Sequence, residues 1–138
     1  MVSRGVCHDN CPVMGVKIDL GDKVALITGA SQGIGAEMAR TFHRAGATVA
    51  INHPDVGTTR ADAGKLAAEL EQIRPQSAFV IAADVADAES VQAMMRELKS
   101  HCGGIDFLVN NAAILRDRSV AKMSLDEWNA VIDVNLSG

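Results

Sequence analysis

Three glycines, Gly29, Gly33 and Gly35, punctuate the run Val24-Ala-Leu-Ile-Thr-Gly-Ala-Ser-Gln-Gly-Ile-Gly35. Their spacing suits a dinucleotide pyrophosphate. One glycine allows a tight turn, one lets the backbone approach the phosphates, and one lets a helix pack close to a strand. The four apolar residues Val24 to Ile27 read as a central parallel strand covered on both faces. A helix beginning near Ile34 aims free N–H groups and the positive end of its dipole at an anion. Glycines alone only mark a turn. A strand before them and a helix after them make the pattern a phosphate-binding motif, with Ser31 and Gln32 at its tip.

Other polar residues recur where later apolar runs end: Asn52-His53-Pro54, then Asp84-Val85, then Asn110-Asn111-Ala112-Ala113. Singly, each is a turn or cap residue. In a doubly wound sheet, however, ligands bind at the carboxyl ends of the strands, where the strand order reverses. Four such ends on one edge therefore form a site. Cys7, His8 and Cys11 are potential metal ligands, but no second cluster completes a tetrahedral site. They are read as part of a mobile leader over residues 1–19, and no metal is expected.

The elements that position these residues alternate in period. Ile34, Met38 and Phe42 form a stripe on the first helix, which ends at Gly46. Residues 47–51 are the second strand. Leu66, Leu70 and Ile73 mark the second helix, stopped by Pro75. Residues 77–83 are the third strand. Asp87 caps a third helix whose inner face is Val91, Met95, Leu98 and Cys102, ended by Gly103-Gly104. Residues 105–109 are the fourth strand. Ser124 and Glu127 form a capping box for a last helix with Leu125, Trp128, Ile132 and Leu136 on one side. The pattern predicts an α/β fold, a Rossmann-like doubly wound parallel sheet in the order 3-2-1-4, over residues 20–138.

Composition bounds the rest. The chain has 138 residues, room for one domain at most. A net charge of -4 provides no basic face for nucleic acid. No apolar run approaches the roughly 18 residues that cross a bilayer, so no membrane partner is expected. The three cysteines form no disulfide framework, which points to a reducing cytoplasmic setting.

Thr28-Gly-Ala-Ser-Gln-Gly-Ile-Gly35 resembles the TGxxxGxG signature of the short-chain dehydrogenase/reductase family. Asn110-Asn-Ala-Ala113 resembles its NNAG motif, with Ala113 in place of glycine. Asp84-Val85 is similar to its adenine-contacting pair, and Asn135 sits where the family carries an active-site asparagine. Ile114 to Trp128 looks most like 3-oxoacyl-thioester reductases and (3R)-hydroxyacyl-CoA dehydrogenases. The resemblance implies an NAD(P)-dependent oxidoreductase that passes a hydride between nicotinamide and a carbonyl or secondary alcohol. It implies that the amides of Ser31, Gln32, Gly33, Ile34 and Gly35 hold the pyrophosphate. Asn111 and Ala112 would line the ribose and nicotinamide side, and Asn135 would hold a water in a proton relay. It also implies dimers or tetramers.

No aspartate or glutamate ends the second strand, where Asn52 and His53 stand, so nothing there repels a 2′-phosphate. NADP is favoured over NAD. The family's proton donor is a tyrosine in Tyr-x-x-x-Lys, its pKa lowered by the lysine. This sequence has no tyrosine. The expectation is that these 138 residues alone do not turn over substrate, and that further strands, from a following segment or another chain, complete the sheet. A non-catalytic nucleotide-binding module is the alternative.

Overall fold

The computed structural model describes residues 18–138. Cys7, His8, Cys11 and all but the last two residues of the predicted leader lie outside the described residues. Strand β1 (Val24–Ile27) leads into helix α1 (Gly33–Arg44), followed by β2 (Thr48–His53), α2 (Thr59–Ile73), β3 (Ala78–Ala82), α3 (Ala88–Cys102) and β4 (Phe107–Val109). A 3-10 turn (Val120–Lys122) precedes α4 (Leu125–Ile132), which runs into a π-helical segment, Asp133–Ser137.

The strands pair in parallel in the order β3-β2-β1-β4, as predicted. Val24 to Ile27 align with Thr48 to Ile51 on one side, and Ala25 to Ile27 align with Phe107 to Val109 on the other. Alternate residues of each strand enter different layers. Ala25, Ile27, Val49 and Ile51 pack with Ala36 and Ala39 of α1 and with Leu66 and Leu70 of α2. Leu26, Ala50 and Ile81 pack with Met94 and Leu98 of α3 on the opposite face.

Local chemistry sets the boundaries. Asp87 accepts from the N–H groups of Glu89 and Ser90, and Gly103 closes α3 in the left-handed region with φ 81°. The capping box on α4 forms in both directions, between Ser124 and Glu127. Two stripes differ from the periodic reading. Ile34 and Met38 of α1 are exposed, and its buried face is Gly35, Ala36, Ala39 and His43. The turn from β1 brings the first turns of α1 so close to the sheet that only small side chains fit beneath them, whereas His43 is buried near the far end. On α3 the buried methionine is Met94 and not Met95, a rotation of one residue. Strand β2 also runs two residues further than its apolar run, because Asn52 and His53 pair with Ile81 and Ala82 of β3.

A candidate dinucleotide site at the carboxyl ends of the strands

The turn between β1 and α1 is fixed by its packing. Gly29 has φ +60°, and a Cβ there would lie 2.7 Å from Ala112 Cα. Gly35 takes the close approach of helix to strand: a Cβ would lie 2.5 Å from Asn111 Nδ2 and 2.8 Å from the Gly29 oxygen. Gly33 has φ +59° with nothing near its missing side chain, so the turn is open on that side.

Its hydrogen bonds divide into those the chain satisfies and those it leaves. The Gly29 N–H donates to Asn52 Oδ1 (3.2 Å), and the Ala30 N–H donates to the Asn52 carbonyl (2.9 Å). Beyond them, the N–H groups of Ser31, Gln32, Gly33 and Ile34 find no acceptor among the described residues. Gln32 occupies the N-cap position without a side-chain cap bond, and the first turn of α1 carries no acid. Helix starts ordinarily satisfy these donors with a Ser, Thr, Asp or Asn side chain. Here these donors are left without an acceptor at one helix start, the arrangement that accepts a phosphate.

On the β4 side, Asn111 Nδ2 donates to the carbonyls of Thr28 (2.8 Å) and Gly29 (3.2 Å). The Thr28 hydroxyl accepts from the N–H groups of Asn111 and Ala112, both at 3.0 Å. Thr28 was missed as a site residue because the sequence shows only a hydroxyl at the end of a strand. On the β3 side, Asp84 Oδ1 accepts from the Ala86 N–H (2.9 Å) and shapes the turn into α3.

These ends surround a cleft of about 560 Å³. Of the predicted site residues it brings together Gly29, Ser31 and Gln32 from the first turn, Asn52 from β2, and Asp84 and Val85 after β3. Asn111, Ala112 and Ala113 close the other side. Pro54, expected beside Asn52 and His53, lines it too, together with Val56, Thr59, Ile114, Arg116 and Val134. The last five carry no signal of their own in the sequence that would mark them as a lining. Arg116 lacks a carboxylate partner among the described residues, whereas Arg40, Arg60 and Arg118 are each ion-paired. Gly33 borders an adjoining groove with Ser31 and Gln32. Ile34 is 71% exposed beside the turn.

Two predicted residues are placed elsewhere. His53 does not reach the cleft. The extended β2 turns its side chain to the α2 face, where it is buried, lines a separate groove with Arg60 and Glu97, and leaves Nδ1 without a partner. Burial pushes its pKa below the ordinary imidazole value, against a smaller opposing pull from Asp55. Asn135 spends its side-chain amide on Ile114: Oδ1 accepts from the Ile114 N–H (2.9 Å) and Nδ2 donates to the Ile114 carbonyl (3.0 Å). Its side chain ties the π-helical segment to the loop after β4, and the amide expected to hold a water is already bonded.

Comparisons with known proteins agree with this geometry. The family model described as short chain dehydrogenase matches residues 23–138. The 3-oxoacyl-[acyl-carrier-protein] reductase FabG of Vibrio harveyi is 39% identical over 120 residues, covering 87% of this chain and 46% of that protein. The enzyme of the same name from Staphylococcus aureus is 43% identical over 118 residues, covering 84% of this chain and 46% of its own length. A gluconate 5-dehydrogenase from Burkholderia cenocepacia, solved in complex with NADP and tartrate, superposes with a TM-score of 0.75 at 35% identity, covering 87% of this chain and 45% of that one. A short chain dehydrogenase from the same organism, solved with NADP, gives 0.79 at 36% identity, covering 86% and 46%. The chain thus spans about half the length of the relatives it matches. The match runs from β1 through the π-helical segment and includes every strand end that builds the cleft, and on it the chain belongs to the short-chain dehydrogenase/reductase family.

Proposed function

We propose that residues 20–138 form the nicotinamide-dinucleotide site of an oxidoreductase that moves a hydride between the nicotinamide and a carbonyl or secondary alcohol. One observation carries this reading: four successive N–H groups, Ser31 to Ile34, lack an acceptor at a helix start that has no side-chain cap and no acid. A doubly negative pyrophosphate supplies what they lack. Ser31, Gln32 and Gly33 hold the phosphates, Asp84 and Val85 meet the adenine, and Asn111 and Ala112 border the ribose beside the nicotinamide. Gly35 and Asn111 fix where that cradle sits. Asn135 holds Ile114, and with it the loop after β4.

NADP is the favoured cofactor. No acid stands at the end of β2 to repel a 2′-phosphate, and both Burkholderia relatives carry NADP. When bound, the nicotinamide supplies the hydride donor or acceptor. The substrate class is a 3-oxoacyl thioester, supported by the reductases that the sequence resembles. The exposed apolar side chains of β4 and α4 suit further strands or a second copy of the chain, and a cytoplasmic setting suits the cysteine usage.

The test is a fluorescence titration of the chain with NADPH and NADH, beside the Gly33→Leu variant. A side chain at Gly33 meets no neighbour in the fold, so the substitution alters the middle of the phosphate turn at a backbone cost of about 1–2 kcal/mol. The expected result is saturable binding to the parent, tighter for NADPH, and a loss of at least about tenfold in the variant. A folded Gly33→Leu protein that binds as tightly as the parent would remove the pyrophosphate from this turn.

A further inference from the structure

Asn52 is the one fully buried polar side chain that lines the cleft, and its contacts are unusual for a cofactor ligand. Every hydrogen-bonding atom of its amide is engaged within the protein. Oδ1 accepts from the Gly29 N–H at 3.2 Å. Nδ2 donates to the Ala83 carbonyl at 3.1 Å, with the Ile81 carbonyl at 3.4 Å and Met94 Sδ at 3.5 Å. Its backbone carbonyl takes the Ala30 N–H. One side chain thus spans from the turn that would hold the pyrophosphate to the end of β3, one residue before Asp84-Val85.

From this geometry we infer that Asn52 is a positioning residue that fixes the phosphate cradle against the adenine loop, and does not itself touch the nucleotide. The inference rests on the dinucleotide reading and adds a division of labour to it. The Gly29 peptide is held from both sides: Asn52 takes its N–H, and Asn111 donates to its carbonyl. With the N–H groups of Gly29 and Ala30 consumed, the cradle begins at Ser31. The separation of the two half-sites is then set by the length of one amide. A ligand that must seat its adenine and its phosphates at once binds best when that separation is preset, because the protein has no ordering left to do on binding. An apolar side chain of similar size keeps the volume but leaves the Gly29 N–H and the Ala83 carbonyl unpaired. An aspartate keeps the acceptor for Gly29 and sets a carboxylate against two carbonyls.

The experiment compares the chain with its Asn52→Leu and Asn52→Asp variants, each confirmed folded by circular dichroism, in titrations with NADPH and with adenosine, which carries no phosphate and so reaches only the Asp84-Val85 side. The expected result is a loss of at least about tenfold for NADPH in both variants, equal to about 1.4 kcal/mol, with a clearly smaller loss for adenosine. A role in stability alone would lower the melting temperature and weaken the two ligands equally or not at all, and that outcome overturns the inference. If both variants fail to fold, amide NMR of Asn52→Ser decides: exchange broadening at Gly29 together with Asp84 and Val85 supports the tie, and broadening at Gly29 alone overturns it. A parent chain that binds no nicotinamide nucleotide brings down the dinucleotide reading and this inference with it. A parent that binds, with variants that bind equally well, brings down only the inference.

Discussion

The two flanks of β1 are built differently. On one side, β2 is buried along nearly its whole length, and α2 sinks Ala63, Leu66, Ala67 and Leu70 into the core. On the other side, β4 is three residues long with Phe107 and Leu108 exposed, and α4 buries none of its residues. Yet each flank puts one asparagine on the same peptide, Gly29. Polar precision at the cradle is therefore symmetric while apolar support is not. Each fully buried Leu on the β2 side contributes about 1.5–3 kcal/mol, and the exposed apolar side chains of α4 contribute almost none.

The largest test of that contrast is at the point where both flanks meet. Gly35→Val forces a side chain against Asn111 Nδ2 and the Gly29 oxygen, which are hydrogen-bonded to each other, and against the Ala30 backbone. The expected cost is about 3 kcal/mol or more, read by urea denaturation, together with loss of nucleotide binding. A cost under about 1 kcal/mol would mean that α1 can slide on β1. Next comes a paired substitution. Leu98→Ala, in the core beneath α3, is expected to cost about 3 kcal/mol, whereas Trp128→Ala on α4 stays within about 0.5 kcal/mol. Equal costs would erase the difference between the flanks.

The smallest expected effect is on pH, and it belongs to the α1–α2 face alone. His43 is buried with Nε2 2.7 Å from Ser77 Oγ, and burial, aided by Arg74, pushes its pKa down. Burial does the same to His53. Both are neutral in the fold, while the unfolded chain takes protons from about pH 6.5 downward. Stability is therefore full above that value and falls as the pH drops towards their lowered folded pKa values. The melting temperature should decline between pH 7.5 and pH 5, and His43→Gln should flatten the decline. Glu71 acts in a lower window. Its carboxylate accepts from the N–H groups of Ala78, Gln76 and Ser77, which holds its pKa down, and that contribution is lost only at more acid pH. A melting temperature flat across the upper window would show that the histidines are paired or hydrated in solution.

Much of the architecture was legible because its signals are local. Strand order followed from the alternation of periods, and the caps at Asp87 and Ser124 from side chains that compete for backbone donors. The glycine turn was readable for the same reason. What escaped depended on distances between elements. Nothing within α1 says that the sheet lies too near for Ile34 and Met38, so these large side chains were expected to face inward. The apolar run of the second strand stops at Ile51, so Asn52 and His53 were read as loop residues at the cleft; the strand in fact continues through His53, whose side chain lies on the opposite side. Asn52 reached the cleft, but its amide is spent on the frame. Asn135 shows the same pattern, with its amide closing on Ile114.

The parallel order has a temporal consequence. Asn52 and Gly29 are 23 residues apart, whereas Asn111 and the Gly29 carbonyl are separated by 82. A chain emerging N-terminus first can settle β2 against β1 long before β4 exists. The turn would then take its shape from Asn52 early in biosynthesis, and Asn111 would arrive to lock a loop already formed.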